Sequence, residues 1–130
     1  MLAGCCTPAS VDRTVIQPLP DKGEPRPYRE LALRLRGQAT VAMDAFYTND
    51  WDAIQTAAKA INQTANLLPK ATEIPDMYRV KVASIGPAIE KESMVLLAAA
   101  RNREVQNTLD SIQKIHLEIR QLNMMPNMTP

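Results

Sequence analysis

Between Tyr28 and Leu122 the apolar residues recur every three or four positions, the period of a helix that buries one face. A first segment carries Ala32, Leu35, Ala39, Ala42 and Phe46, with Leu31 and Met43 widening the face. A second carries Ile54, Ala57, Ile61, Ala65 and Leu68. Asn49 or Asp50 can cap its start, because a short side-chain oxygen accepts from the free N–H groups of a first turn, and Pro69 ends it. A third runs from about Asp76 to Ala100 through Val82, Ile85, Ile89 and Leu96, with Met94 and Leu97 alongside. Gly86-Pro87 in its middle predicts a kink or a split, since proline lacks a donor and crowds the preceding turn. A fourth carries Val105, Leu109, Ile112, His116 and Ile119 and ends near Leu122.

Each segment spans roughly 19–25 residues, or about 30–37 Å of helix. Four matched stripes with short connections predict an all-α fold, an antiparallel up-down-up-down four-helix bundle. Ala39, Ala42, Ala57, Ala58 and Ala65 allow close helix approach. The connections near Asn49 and Asn102 are tight, and the one from Pro69 to Pro75 is longer. Tyr28-Arg29 and Tyr78-Arg79 open the two halves, and a shift of 51 places Ile54 on Val105, Ile61 on Ile112 and Leu68 on Ile119. Any two helical hairpins of equal length align in this way, so the repeat supports two stacked hairpins and says nothing of ancestry.

Composition divides the chain. Of 10 prolines in 130 residues, Pro8, Pro18, Pro20, Pro25 and Pro27 precede the first helical stripe. Residues 1–27 are therefore expected to be an extended spacer, residues 28–122 the bundle and residues 123–130 a frayed, Met-rich tail. A hydrophobic fraction of 45% suffices for a core, and no apolar run approaches the roughly 20 residues of a membrane span. Lys plus Arg is 15 against 14 for Asp plus Glu, a net charge of +1. That balance argues against nucleic acid as a partner, because phosphate binding needs clustered basic charge. Arg29, Arg34, Arg36, Arg101 and Arg103 are modest basic spots, solvated faces or weak attractors of anionic headgroups.

Leu2-Ala3-Gly4-Cys5 resembles a bacterial lipobox, in which small residues fit the signal peptidase and the cysteine thiol receives the lipid. The resemblance implies lipidation at Cys5, a membrane partner through that anchor, and a place in the periplasm or cell envelope. No basic and apolar signal segment precedes the motif, so this reading takes the natural start to lie upstream or the chain to have been trimmed. A coincidental match in a cytosolic protein is the competing reading. Adjacent Cys5 and Cys6 have the wrong spacing for zinc, and with no other cysteine there is no internal disulfide framework.

His116 is the only histidine and falls on the apolar stripe of the fourth segment. Alone it is a partly buried side chain with a local hydrogen bond. The run Ile112-Gln113-Lys114-Ile115-His116-Leu117-Glu118-Ile119-Arg120 resembles the last helix of the cytochrome c prime family. In that family two cysteines precede the histidine and an arginine follows it by four residues. His116 and Arg120 match, Ile119 stands at the usual aromatic, and Ile112 and Ile115 replace the two cysteines. The likeness extends loosely over the body, through Tyr28-Arg29, Asp50-Trp51 and Ala98-Ala99-Ala100. It implies the same bundle and a homodimer through the first two helices.

Thioether attachment needs thiols at both positions, so a covalently bound haem is excluded there. Two isoleucines are expected to fill the space instead, each stabilising the bundle by about 1.5–3 kcal/mol when fully buried. No cofactor is expected. The alternative is haem held without covalent links, with His116 as axial ligand and Arg120 beside it. In four-helix b-type cytochromes a methionine on the first helix supplies the second ligand. The expected packing sets His116 opposite Leu31, Leu33 and Leu35, with Met43 some ~15 Å too far along, so such a haem would have one protein ligand.

Other chemistry is thin. Met124, Met125 and Met128 offer soft thioether ligands for Cu(I), with Met77 and His116 in reach if the tail folds back; a frayed terminus is the competing reading. Glu90, Glu92, Glu104 and Glu118 form no Glu-x-x-His pattern, the four glycines form no phosphate loop, and one histidine without a nucleophile makes no triad. The expectation is a non-enzymatic structural or binding module.

Overall fold

In the computed structural model, residues 13–19 and 25–123 are described, without the side chain of Asn123. Among them are four helices, α1 (Tyr28–Tyr47), α2 (Trp51–Leu67), α3 (Arg79–Arg101) and α4 (Val105–Asn123). Short 3-10 turns occupy Arg13–Ile16, Leu68–Lys70 and Asp76–Tyr78. The fold is an all-α four-helix bundle. Each helix packs on its neighbour in sequence, and α4 closes the ring on α1. On α2 and α3 the register falls as it rises: Asn62 reaches Ser93 Oγ at 3.1 Å, and Asn66 reaches Glu90 Oε2 at 3.0 Å.

The two tight connections share one hydrogen-bond pattern. The Asp50 N–H donates to Ala45 O at 2.8 Å and Asn49 N–H to Phe46 O at 3.2 Å. The Glu104 N–H donates to Ala99 O at 3.0 Å and Arg103 N–H to Ala100 O at 3.1 Å. Both are Schellman turns, with Asn49 (φ 57°) and Arg103 (φ 53°) in the left-handed region. Asp50 then caps α2, its Oδ1 accepting from Ala53 N–H at 3.1 Å. The guanidinium of Arg13 beside Asp50, together with that cap bond, holds its carboxyl below the usual range.

Within the expected spacer, one described stretch is packed on the bundle. Residues 13–19 lie strapped onto α1 and α2. Ile16 is buried in the core, and the Val15 side chain rests on Gly37, where an added Cβ would stand 3.4 Å away. The Leu19 N–H donates to Gln63 Oε1 at 2.9 Å, and Gln63 Nε2 donates back to Leu19 O at 3.0 Å. Buried Gln38 donates to both Val15 O at 2.8 Å and Thr64 Oγ1 at 2.9 Å. Proline denies the strap a helix, but carbonyls and apolar side chains remain, and α1 and α2 offer partners for both.

The third helix is not split. It runs unbroken through Pro87 from Arg79 to Arg101. Two features explain this. Gly86 has no Cβ to clash with the proline ring, and both Pro87 and Ala83, whose carbonyl loses its donor, face solvent, where water can replace the bond. Gly86 also lets α3 approach the end of α2. A Cβ there would meet Pro69 Cγ at 2.9 Å and Ala65 O at 3.3 Å.

Gly86→Ala is therefore expected to destabilise the bundle. Overpacking costs about 1–3 kcal/mol, which outweighs a helix-propensity gain of at most about 1 kcal/mol. Urea unfolding checks this; a midpoint at or above that of the parent chain would reject the close contact as limiting.

Candidate functional site

The rotation of α4 decides what faces outward. Ile112, Ile115, Ile119 and Leu122 are each 2% exposed or less, and Thr108 and Ser111 are buried with them. The expected stripe through Val105, Leu109 and His116 is not the buried one: Val105 is 58% exposed, and Leu109 and His116 are intermediate. The helix turns toward the stripe that holds more aliphatic surface. His116, next to Ile115, is thereby moved from the seam to its margin.

The register along α1 also differs from expectation. His116 shares its hollows with Arg36, Thr40 and Met43, so it is level with the middle of α1 and not with Leu31, Leu33 and Leu35. The Ala39 carbonyl there acts on its titration. Met43, expected about three helical turns away, lines the same groove as the imidazole.

That groove is an open cleft of about 720 Å³ between α1 and α4. Thr40, Met43, Asp44 and Tyr47 form the α1 wall, and Gln113, His116, Leu117 and Arg120 the α4 wall. The spacings 40, 43, 44, 47 and 113, 116, 117, 120 are helical, so both walls are the stripes bordering the buried ones. A second hollow of about 380 Å³ adjoins it, lined by Arg36, His116, Ile119 and Arg120. His116 and Arg120 belong to both.

The electrostatics are uneven. The His116 Nε2 is buried without a hydrogen-bond partner. Burial lowers the imidazole pKa from its ordinary value; the Ala39 carbonyl pulls it up, and the Arg120 charge pushes it down further. Asp44, the one carboxylate on the walls, is held by Arg13 Nη2 at 3.0 Å. Arg36 and Arg120 are exposed and take part in none of the ion pairs among the described residues. Arg34, grouped with them in sequence, donates instead to Gln17 O in the strap at 2.6 Å.

The chain matches no family model, no curated protein and no solved structure. The candidate site therefore stands on geometry. His116 and Arg120 are brought together, with Ile112 and Ile115 behind them in the core. Cys5, Met124, Met125 and Met128 lie outside the described residues. Met77 is 76% exposed and lines neither hollow. Among the described residues no cluster of three His, Cys, Asp or Glu side chains is placed to hold a metal, and no helix is long and apolar enough to cross a membrane. Sequence reasoning missed Thr40, Tyr47 and Leu117; the helical spacing that marks them follows only once α4 is rotated correctly.

The imidazole gives a direct test. Because the folded state favours neutral His116, its contribution to stability is full above the ordinary value of 6.5 and is lost as pH falls toward the lowered one. Proton NMR of this single histidine is expected to titrate below 6.5, and His116→Gln to remove the matching loss of stability. A midpoint at or above 6.5 would contradict the burial.

Proposed function

We propose that the chain is a non-enzymatic binding module of the bacterial envelope. In this reading a lipid on Cys5 anchors it, and the body is a bundle like that of the cytochrome c prime family without the covalent haem. The observation that carries the binding role is the apolar cleft between α1 and α4, with a buried, unpartnered imidazole nitrogen at its margin. Ligand sites are concave and mostly apolar with a few convergent polar groups, which this cleft matches. The lipobox residues ahead of a proline-rich leader support the anchor, and the family resemblance supports a homodimer through α1 and α2.

A neutral apolar fluorophore, 1-aminoanthracene, tests the cleft. Its fluorescence is expected to rise on binding, and Leu117→Glu, at a position already 55% exposed, to abolish the rise without loss of helix content. No rise with the parent chain would sink the binding role.

The second reading, haem held without covalent links, is favoured by one observation. The Nε2 of His116 is unpartnered, and Met43 lines the same cleft, so the two side-chain types that such a site needs lie together. Bound haem would supply ligand binding or electron transfer; the chain would supply His116 and Met43. In this reading added haem gives a Soret band that His116→Ala abolishes, whereas the leading reading expects no band.

A further inference from the structure

The cleft and the hollow beside it form one continuous feature with two chemically different ends. The long end is apolar: Met43 is partly buried, and Leu117 and Tyr47 are exposed large side chains at 55% and 71%. Nothing in the fold of a lone bundle requires such residues on neighbouring helices to share one open trough. The short end is basic. Arg36 from α1 and Arg120 from α4 flank the His116 ring, and no carboxylate among the described residues answers either charge. The only carboxylate on the long walls, Asp44, is already taken by Arg13 from the strap. Two guanidinium groups without an ion-pair partner among the described residues flank the half-buried His116 ring beside the apolar trough.

Resting on the reading of this cleft as a binding site, we propose that its ligand is a single-chain anionic amphiphile, a fatty acid. Its carboxylate sits on Arg36 and Arg120 beside the His116 ring, and its hydrocarbon lies along Met43 and Leu117. The head matches the donors: guanidinium groups meet carboxylates through charge-assisted hydrogen bonds, and these strengthen where the surroundings are partly desolvated. The tail matches the trough, because apolar surface left open on both walls is covered by a flexible chain. The imidazole adds a signature. An anion beside the ring favours its charged form, so binding takes up a proton and raises the His116 titration.

The test uses the full chain with octanoate and 1-octanol, which share a tail and differ in the head. Both are titrated while the His116 imidazole and the Met43 methyl are followed by NMR. Octanoate is expected to half-saturate both signals at a concentration about tenfold below that of octanol, a difference of about 1.4 kcal/mol. It is also expected to raise the imidazole midpoint, which octanol leaves unchanged. The double variant Arg36→Gln, Arg120→Gln changes two exposed side chains and is expected to keep the helix content and bring the two ligands within about threefold of each other. Equal binding of acid and alcohol by the parent chain would overturn the head assignment while leaving the cleft a binding site. Failure of both ligands to move either signal would overturn both readings. Loss in the double variant of binding to anionic phospholipid vesicles, with no response to octanoate, would assign the basic end to a bilayer surface and refute the fatty acid.

Discussion

The burial of four aliphatic side chains on one stripe of α4 sets the geometry of everything on the α1–α4 face. Ile112, Ile115, Ile119 and Leu122 are almost fully withdrawn from solvent, each worth about 1.5–3 kcal/mol by area. Turning α4 by one residue would move the stripe about 100° and bring His116 and Arg120 inward, where an unpaired guanidinium is costly. The helix is therefore fixed in rotation by its core, and the polar margin follows. His116 is half-buried because it is the neighbour of Ile115, not because a polar partner holds it.

The strap contributes at a distance. Arg13 joins Asp44 near the end of α1 to Asp50, the cap of α2, each at 3.0 Å. Exposed pairs of this kind add little to stability. Their consequence is electrostatic: Arg13 engages Asp44, the one carboxylate on the cleft walls, at the end of the trough away from Arg36. The apolar part of the strap does the mechanical work, through Ile16 in the core and the reciprocal amide bonds between Leu19 and Gln63. A segment without regular helix thus settles the charge balance of a surface it only borders.

Much of the bundle was legible as periodicity. Ile54, Ala57, Ile61, Ala65 and Leu68 of α2, and Val82, Ile85, Ile89 and Leu96 of α3, are buried as their spacing indicates. The turns were legible too, because Asn49, Asp50 and Asn102 are residues that turns and caps favour. Three features were not. The α4 stripe was misjudged because two stripes one residue apart, both containing Ile112 and Ile119, have the same spacing, and only packing chooses the richer. The level of His116 against α1 was misjudged because helix ends, not apolar spacing, set axial alignment. Gly86-Pro87 was expected to kink or split α3, and the helix is not split, because Gly86 and the solvent-facing Ala83 carbonyl accommodate the proline. Site residues such as Thr40, Tyr47 and Leu117 were illegible, since an exposed residue acquires meaning only from the wall it shares.

The isoleucines at 112 and 115 also bear on where a ligand can sit. Ile112 and Ile115 are both buried, so aliphatic side chains fill those two positions next to His116. The imidazole nevertheless keeps one buried nitrogen unpaired, at a cost of about 1–3 kcal/mol against a paired one. On the cleft side Arg36 and Arg120 favour an anion over a cation. The same charges suit the site to a carboxylate. In this reading the ligand lies on the flank of the bundle, and the buried isoleucines hold that flank in position.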